Sequence, residues 1–352
     1  LFSILMKLFL IKKIIFLSIF FLSISLEIYI NYMNIFYFRN WERATFERKA
    51  RPAGVLNPFY SNYNNVMDEL GDLGFKTKFA IKKKNVYWKT DTFGFRNEKY
   101  IESPEIIISG ASNIVGSGLS QNQILSYQLG YLTNFSIYNY APLKTEEILS
   151  LLNKNLISNP EIFIYGISES QIKILEKNKI NFIPNVKIIK GGNLILQLYK
   201  HYDIYNKHTF YRWIKSKLKR EEKSIIRDKH DRLYKNYGPS FFNEFDNDLI
   251  VNYLIEINKF CLKRNIKFIF FIIPTKETIH WEDAGLIYQP KNISLIQKKL
   301  EEYNINYIDI LTLFKENKSN NLYIADDTHW DDSAIKLVSK KIIEFLDSTN
   351  KN

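Results

Sequence analysis

From residue 105 onward, short continuous apolar runs alternate with stretches in which apolar residues recur every three or four positions. The continuous runs predict strands buried on both faces, and the helical spacing predicts amphipathic helices that cover them. The predicted strands are residues 105–109, 136–140, 161–166, 267–274 and 305–310. Because strands alternate with helices, we expect a three-layer α/β/α sandwich with a mainly parallel sheet of about five strands.

The N-terminal part of the chain has a different pattern. Lys12 and Lys13 precede an uncharged apolar run at 14–26, and further apolar residues continue beyond Glu27. About 20 apolar residues are needed to cross a bilayer, and the run reaches that length when it is extended past the glutamate. We therefore expect residues 1–38 to form a single-pass membrane anchor. A cleaved signal peptide is the alternative, but no small-residue cleavage site follows the run.

Two further segments depart from the alternating pattern. Residues 39–104 carry aromatic residues and turns but few long apolar runs, which predicts a juxtamembrane segment before a sheet domain at 105–352. Inside that domain, residues 170–245 include a basic stretch with interspersed acidic residues at 213–238. Such a mixture predicts a solvated helical insertion, and a lid or a membrane-facing flap is the alternative.

Composition and charge change this picture little. The chain has 352 residues, and its 49 Lys and Arg against 37 Asp and Glu give a formal net charge of +12. A basic excess can serve nucleic acid or an anionic membrane surface. The lysines are scattered and no nucleic-acid-binding motif accompanies them, so we expect no nucleic-acid partner. Cys261 is the only cysteine, which excludes an intrachain disulfide and predicts a small buried side chain.

Hydroxyl-bearing residues follow three of the predicted strands. Ser112 comes after the first strand, Ser168 after the third and Thr275 after the fourth. In a parallel sheet, ligand sites lie beyond the carboxyl ends of the strands, so these side chains are expected at one edge. Ser112 is either a nucleophile held at a strand end or a structural turn serine.

A serine nucleophile needs a base within hydrogen-bonding reach and a group that orients that base. His329 follows Asp326 and Asp327 by three and two positions, just before the last predicted helix. An aspartate at such a turn can accept from one imidazole nitrogen and leave the other free to take a proton. The alternative is a polar turn whose carboxylates cap the helix.

Several short motifs resemble, in the usual order, those of the SGNH/GDSL hydrolases, and especially their membrane-anchored, acetyltransferase-like branch. These motifs are TDTFGFRNEKY (90–100), GASNIVGSG (110–118), YNYAP (138–142), YGISES (165–170), IIPTKETIH (272–280) and DDTHW (326–330). Each motif is short, and the ordered set over about 90–340 carries the resemblance. It implies an SGNH or flavodoxin-like domain.

The resemblance also implies a serine acyl esterase or O-acetyltransferase that works through an acyl-serine intermediate. Ser112 would attack the acyl carbonyl, and His329 would take its proton. Asp326 would orient the imidazole at the D-x-x-H spacing, and Asp327 is the alternative at the D-x-H spacing of the acetyltransferase branch.

By the same resemblance, the oxyanion would be held by the backbone N–H groups of Ser112 and Ala141 and by the hydroxyl of Ser168. The chain departs from the family pattern at two positions. Ala111 stands where the first motif usually has aspartate, and Ser168 stands where an asparagine is usual. These departures motivate a second hypothesis, a catalytically inactive relative that binds polysaccharide or scaffolds a polymer-modifying assembly.

The resemblance supplies the remaining expectations about substrate and partners. Trp330, Thr275 and Lys276 would contact the substrate, which would be an envelope carbohydrate or another acylated molecule. No cofactor and no metal are implied. Membrane lipid around the N-terminal helix and a membrane protein that donates the acyl group are the expected partners. The expected location is the bacterial inner membrane, with the domain on the periplasmic side.

Overall fold

The computed structural model describes residues 2–32, 39–77, 83–207, 225–236, 245–287 and 289–349. The strands are β1 (Asn64–Glu69), β2 (Lys84–Lys89), β3 (Ile106–Gly110), β4 (Ile137–Asn139), β5 (Ile162–Ser168), β6 (Ile225–Arg227), β7 (Leu233–Lys235) and β8 (Lys267–Ile273). The helices are α1 (Phe2–Tyr32), α2 (Asn40–Ala44), α3 (Ser112–Val115), α4 (Leu125–Leu132), α5 (Thr145–Asn153), α6 (Leu194–Lys207), α7 (Asn247–Leu262), α8 (Lys276–Ile279), α9 (Asn292–Glu302), α10 (Ile310–Glu316) and α11 (Asp332–Thr349).

The centre of the domain is a parallel sheet with the strand order β4-β3-β5-β8. This confirms the predicted α/β fold, with four strands rather than about five. Residues 305–310, predicted as the fifth strand, make a single parallel bridge between Tyr307 and Phe270. The pairing stops there because Asp309 caps α10 through the N–H of Thr312, and the chain turns into that helix.

Helices cover both faces of the sheet, as a three-layer sandwich requires. On β8, Phe271 stacks on Trp330, which also contacts Phe314 of α10. The adjacent Phe270 points to the opposite face and stacks on Tyr165 of β5. Helices α4, α10 and α11 pack together on the side of Phe271, and α5, α7 and α9 pack on the side of Phe270. Cys261 of α7 is buried there, as predicted.

The N-terminal helix α1 is long and apolar enough to cross a membrane. Its window Phe9–Leu26 has a mean hydropathy of 2.1, and none of that window is buried against the rest of the chain. Length and composition alone support a membrane span, and a signal sequence shares both properties. Residues 1 and 33–38 of the predicted anchor lie outside the described residues.

The predicted juxtamembrane segment, residues 39–104, packs directly on the sheet. Trp88 of β2 and Phe95 belong to the same buried cluster as Ile107 of β3. Strands β1 and β2 form an antiparallel hairpin beside this cluster. The aromatic residues of the segment are therefore part of the domain core and do not line an exposed linker.

The predicted helical insertion, residues 170–245, is only partly helical. Helix α6 lies within it, but β6 and β7 form an antiparallel hairpin where a helix was expected. Asp228 causes the difference, because its carboxylate accepts from the backbone N–H groups of His230 and Arg232 and closes the turn between the strands. The N–H of Leu233 then donates to the carbonyl of Ala325 at 2.8 Å. Residues 208–224 and 237–244 lie outside the described residues.

Candidate active site

Ser112 lies immediately beyond the carboxyl end of β3, where a tight backbone approach shapes the chain. Gly110 has a φ of +140°, and a Cβ there would lie 1.8 Å from the carbonyl oxygen of Gly166 on β5. Only glycine fits this position. The N–H of Ala111 donates to the same carbonyl at 2.9 Å. The strand therefore ends abruptly, and Ser112 begins the short helix α3.

Arg96 holds the loop that follows Ser112 in place. Its buried guanidinium donates to the carbonyl oxygens of Val115 at 3.1 Å, Gly116 at 2.5 Å and Leu119 at 2.5 Å. The guanidinium also lies 3.7 Å from the ring centroid of Trp88, a cation–π contact. Burial lowers the pKa of Arg96 to about 9, which leaves it charged at neutral pH. Arg96 thus fixes the path of the nucleophile loop.

The fold brings Ser112 and His329 into direct contact. Ser112 Oγ lies 2.7 Å from His329 Nε2, and His329 Nδ1 lies 2.5 Å from Asp327 Oδ1. These distances meet the geometric requirement for a hydroxyl nucleophile, a base and an orienting carboxylate. Asp327 takes the orienting position, which is the D-x-H alternative.

Asp326, the other predicted orienting residue, has a structural role in the same loop. Its carboxylate accepts from the N–H of Gly71 at 2.7 Å, and its carbonyl accepts from the N–H groups of Leu73 and Gly74 at 3.1 and 2.9 Å. A Cβ at Gly71 would lie 2.1 Å from that carbonyl oxygen. Asp326 therefore points away from His329 and attaches the loop to residues 71–74.

Positive and negative charges surround Asp327. Its carboxylate accepts from Thr328 N at 2.7 Å and from the Arg39 guanidinium at 3.2 Å. Burial raises the pKa of Asp327, but the charges of His329 and Arg39 outweigh burial and hold that pKa well below its usual range. Asp72 accepts from the N–H and the hydroxyl of Thr328, and burial together with the nearby Asp327 raises its pKa to about 6.

Asp72, Asp327 and His329 each place one potential metal-ligand atom within 4.8 Å of the others. Arg39 already lies against Asp327 at 3.2 Å and supplies a positive charge at this point. A metal ion bound to the three side chains would sit beside the guanidinium. We therefore describe the cluster as an ion-pair network around the base.

Lys276 does not contact a substrate position, contrary to expectation. It is buried, and its ammonium donates to the carbonyl oxygens of Ile324 at 3.0 Å, Ala325 at 2.7 Å and Asp327 at 3.4 Å. Burial lowers the pKa of Lys276 to about 8. The side chain fastens the loop that carries the base, because buried carbonyl groups require donors.

A cavity of about 180 Å³ opens beside Ser112 and His329. It is lined by Asp72, Ser112, Asn113, Ser168, Ser170, Gln171, Lys235, Pro274, Thr275, Glu277, Thr328 and His329. The three strand-end residues predicted to share one edge, Ser112, Ser168 and Thr275, all contribute to it. Three larger cavities, of about 330, 390 and 630 Å³, are lined by neither Ser112 nor His329, so size alone does not identify the site.

Two further predicted roles are wrong. The N–H of Ala141 donates to Asn139 Oδ1 at 2.9 Å inside the core, so it cannot donate to an oxyanion. Trp330 is 1% exposed and packs on the sheet, because its large ring fills the space beside Phe271. Its backbone N–H donates to Asn113 Oδ1 at 2.8 Å, which joins the base loop to α3.

The possible oxyanion donors are therefore the backbone N–H of Ser112 and the hydroxyl of Ser168. Among the described residues, no acceptor is bonded to the Ser112 N–H, which is the first of a helix and lacks an intrahelical partner. Ser168 Oγ lies 2.9 Å from Ser170 Oγ. The residue next to Ser168 is Glu169. Its carboxylate is buried and accepts a hydrogen bond from the N–H of Thr275 at 3.0 Å.

Sequence reasoning missed Arg39, Asp72, Arg96 and Lys235 as residues of this site. Arg96 lies in the motif at 90–100, which was the available signal for it. Arg39 and Asp72 have no spacing relationship to His329 that marks them. Lys235 reaches the cavity from the hairpin that was expected to be helical.

Comparison with known families identifies the C-terminal part of the chain. Residues 251–351 match a family described as SGNH hydrolase-like domain, acetyltransferase AlgX. This C-terminal part of the chain is therefore similar to an SGNH hydrolase-like domain of the AlgX type. The matched segment includes β8, Asp327 and His329, and Ser112 lies outside it in the sequence. A comparison with curated proteins finds no match. The family supports an acyltransferase or esterase type of function.

Proposed function

We propose that this protein is a serine acyltransferase or esterase that forms an acyl ester on Ser112. The observation that carries the proposal is the contact chain from Ser112 Oγ to His329 Nε2 at 2.7 Å and from His329 Nδ1 to Asp327 at 2.5 Å. The proposed substrate is a short acyl group, acetyl above all, on an envelope carbohydrate.

The geometry supports a two-step reaction. Ser112 Oγ attacks the acyl carbonyl carbon while His329 Nε2 takes the hydroxyl proton, and Asp327 stabilises the imidazolium that forms. The Ser112 N–H and the Ser168 hydroxyl donate to the oxyanion of the tetrahedral intermediate. Collapse of that intermediate breaks the bond to the leaving oxygen, which receives the proton from His329. Water or a sugar hydroxyl then attacks the acyl-serine by the same steps.

The size and lining of the cavity favour a short acyl group. The volume of the cavity is about 180 Å³. A cavity of this size favours a small acyl group, such as acetyl, over a long acyl chain. Ser170, Gln171 and Lys235 line the opening and offer polar groups to a hydroxylated substrate.

We further propose that α1 anchors the protein in the bacterial inner membrane, with the catalytic domain on the periplasmic side. The support is the unburied apolar window at Phe9–Leu26. Envelope carbohydrate and a membrane acyl-donor protein would both be accessible from that location. Sedimentation of the full chain with vesicles after a high-salt wash tests the anchor, and its release by salt would contradict it.

The test of the proposed activity compares Ser112→Ala with the full chain in detergent. The unmodified protein should release the chromophore from an aryl acetate, and mass spectrometry should find one acetyl group on the peptide that contains Ser112. Ser112→Ala should lower the rate by at least about 1,000-fold. Ser120→Ala, just beyond this loop and outside the cavity, is the matched control and should retain the rate.

Equal background rates for the full chain and Ser112→Ala would instead favour the inactive, polysaccharide-binding hypothesis. Ala111 and Ser168 at the two departures from the family pattern are the observations behind that hypothesis. It predicts that the full chain binds an acetylated polysaccharide equally well with and without the Ser112 hydroxyl.

A further inference from the structure

Arg39 links the two loops that meet at the proposed catalytic serine. It is 7% exposed, and one guanidinium nitrogen donates to Ser117 Oγ at 2.9 Å and to Asp327 Oδ2 at 3.2 Å. The same nitrogen lies 3.5 Å from His329 Nδ1. Ser117 belongs to the nucleophile loop, and Asp327 belongs to the base loop. The described chain resumes at Arg39, seven residues after the end of α1 at Tyr32.

We propose that Arg39 is a positioning residue of the acyl-transfer site, so that a residue seven positions after the end of the apolar helix holds the catalytic groups in place. This inference rests on the proposed function, which it deepens by naming a residue that acts through Asp327 and Ser117. Arg39 does not itself line the cavity beside Ser112.

The neighbouring Asn40 holds Arg39 in place. The N–H of Asn40 donates to Glu69 at 2.7 Å, and its side-chain amide donates to the carbonyl of Val86 at 2.9 Å. Its Oδ1 accepts from the hydroxyl of Tyr63 at 3.0 Å. Asn40 is fully buried, so these bonds have no competition from water. The hairpin β1–β2 thereby fixes the backbone from which the guanidinium extends.

The charges around Asp327 explain what the guanidinium contributes. Asp327 must remain ionised and aimed at His329, although burial opposes its charge. The partly buried Asp72 adds a second carboxylate 3.9 Å from Arg39, and the ammonium of Lys276 reaches the Asp327 backbone on the other side. Arg39 balances the two carboxylates and fixes one Asp327 oxygen, while the other oxygen faces the imidazole.

The position of Arg39 also limits how far the site can lie from the membrane. Seven residues span at most roughly 25 Å when fully extended, at about 3.6 Å each. If α1 crosses the bilayer, Arg39 and the contacts it makes lie within that distance of the end of α1. This range favours an acyl donor presented at the membrane surface.

The test uses the full chain with Arg39→Ala, Arg39→Lys and the matched control Arg43→Ala, one helical turn away. We expect Arg39→Ala to lower kcat about 100-fold with KM changed less than about threefold, because a positioning defect acts on the transition state. Arg39→Lys should lose about tenfold, since it keeps the charge but not the planar donor geometry. Arg43→Ala should stay within about twofold of the unmodified rate.

Two readouts separate positioning from a structural role. Added guanidinium ion should restore part of the Arg39→Ala activity and none of the activity of Ser112→Ala. The acid limb of kcat/KM against pH should move to higher pH in Arg39→Ala, because removal of a cation favours protonation of the Asp327–His329 pair. Lys276 and Asp72 are not substituted in any of these variants.

Equal kcat values for Arg39→Ala and Arg43→Ala, with superimposable pH profiles, would overturn the proposal. Where Arg39→Ala fails to fold by circular dichroism, Arg39→Lys decides: full activity in that variant overturns it, and a tenfold loss without a KM change supports it. Failure of the proposed function is distinguishable, since Ser112→Ala would then keep the unmodified rate regardless of Arg39.

Discussion

The two halves of the candidate site are held in place by different parts of the chain. The nucleophile half, residues 110–119, is fixed by Arg96, which lies 19 to 23 positions from the carbonyls it binds, and by Asn139, 25 positions from Ile114. The base half, residues 322–331, binds Gly71, Asp72 and Arg39, which lie 255, 256 and 288 positions away. The contacts that Arg96 and Asn139 make with the nucleophile half thus span far less of the sequence than those that Gly71, Asp72 and Arg39 make with the base half.

This difference predicts where substitutions should damage catalysis without damaging the fold. The largest effect is expected in the base half, at Asp327. Asp327→Asn keeps the shape of the side chain but removes the charge that holds the His329 tautomer and stabilises the imidazolium. We expect kcat to fall by about 1,000- to 10,000-fold, measured with an aryl acetate.

Asp326→Asn is the matched control, one residue earlier in the same loop. An asparagine oxygen can still accept from the N–H of Gly71, so kcat should stay within about tenfold of the unmodified value. A larger loss in Asp326→Asn than in Asp327→Asn would reverse the assignment. Asp326, at the D-x-x-H spacing, would then be the residue that orients His329 in solution.

Most of the fold and the centre of the candidate site could be predicted from the sequence. Continuous apolar runs located four of the sheet strands within about two residues, because buried parallel strands need no polar face. The rule that ligand sites lie beyond the carboxyl ends of parallel strands correctly placed Ser112, Ser168 and Thr275 at one cavity. The fifth strand was wrong because the capping residue Asp309 outweighs the apolar pattern of residues 305–310.

The remaining errors come from contacts between distant residues. The pattern of DDTHW allowed either aspartate to orient His329, and only the packing of residues 71–74 against Asp326 decides between them. Trp330 and Lys276 were assigned to the substrate by the family resemblance. Both are buried in this fold, which depends on the neighbours that the sheet brings together.

A second comparison measures how firmly each half is held. Arg96 and Lys276 are both buried cations, and each donates to three carbonyls of one half: Arg96 in the nucleophile half and Lys276 in the base half. Arg96→Met and Lys276→Met each leave those carbonyls without donors, and we expect a loss of about 3–5 kcal/mol in the free energy of unfolding. Urea denaturation followed by circular dichroism measures this loss.

Activity should separate these two variants even where their stabilities agree. Lys276→Met loosens the loop that carries Asp327 and His329, so kcat should fall well below that of Arg96→Met under conditions where both are folded. A larger loss of kcat in Arg96→Met would show that catalysis depends more on the position of the nucleophile half than on that of the base half.

The smallest expected effect concerns Glu169, which is buried between the end of β5 and helix α8. It follows Ser168 at the end of β5 and accepts from Thr275 N at 3.0 Å and Thr278 Oγ1 at 2.6 Å, beside the helix that carries Lys276. Burial raises the pKa of Glu169 from 4.5 to about 7. The folded protein therefore holds this proton more tightly than the unfolded chain does.

It follows that the stability contributed by protonated Glu169 is fully present below pH 4.5 and is lost as the pH rises through about 7. A pKa difference of this size corresponds to roughly 3 kcal/mol. Glu169→Gln cannot ionise, so its free energy of unfolding should fall less between pH 5 and pH 8 than that of the unmodified protein. Parallel pH profiles for the two proteins would show that the surroundings of Glu169 accept its charge without a loss of stability.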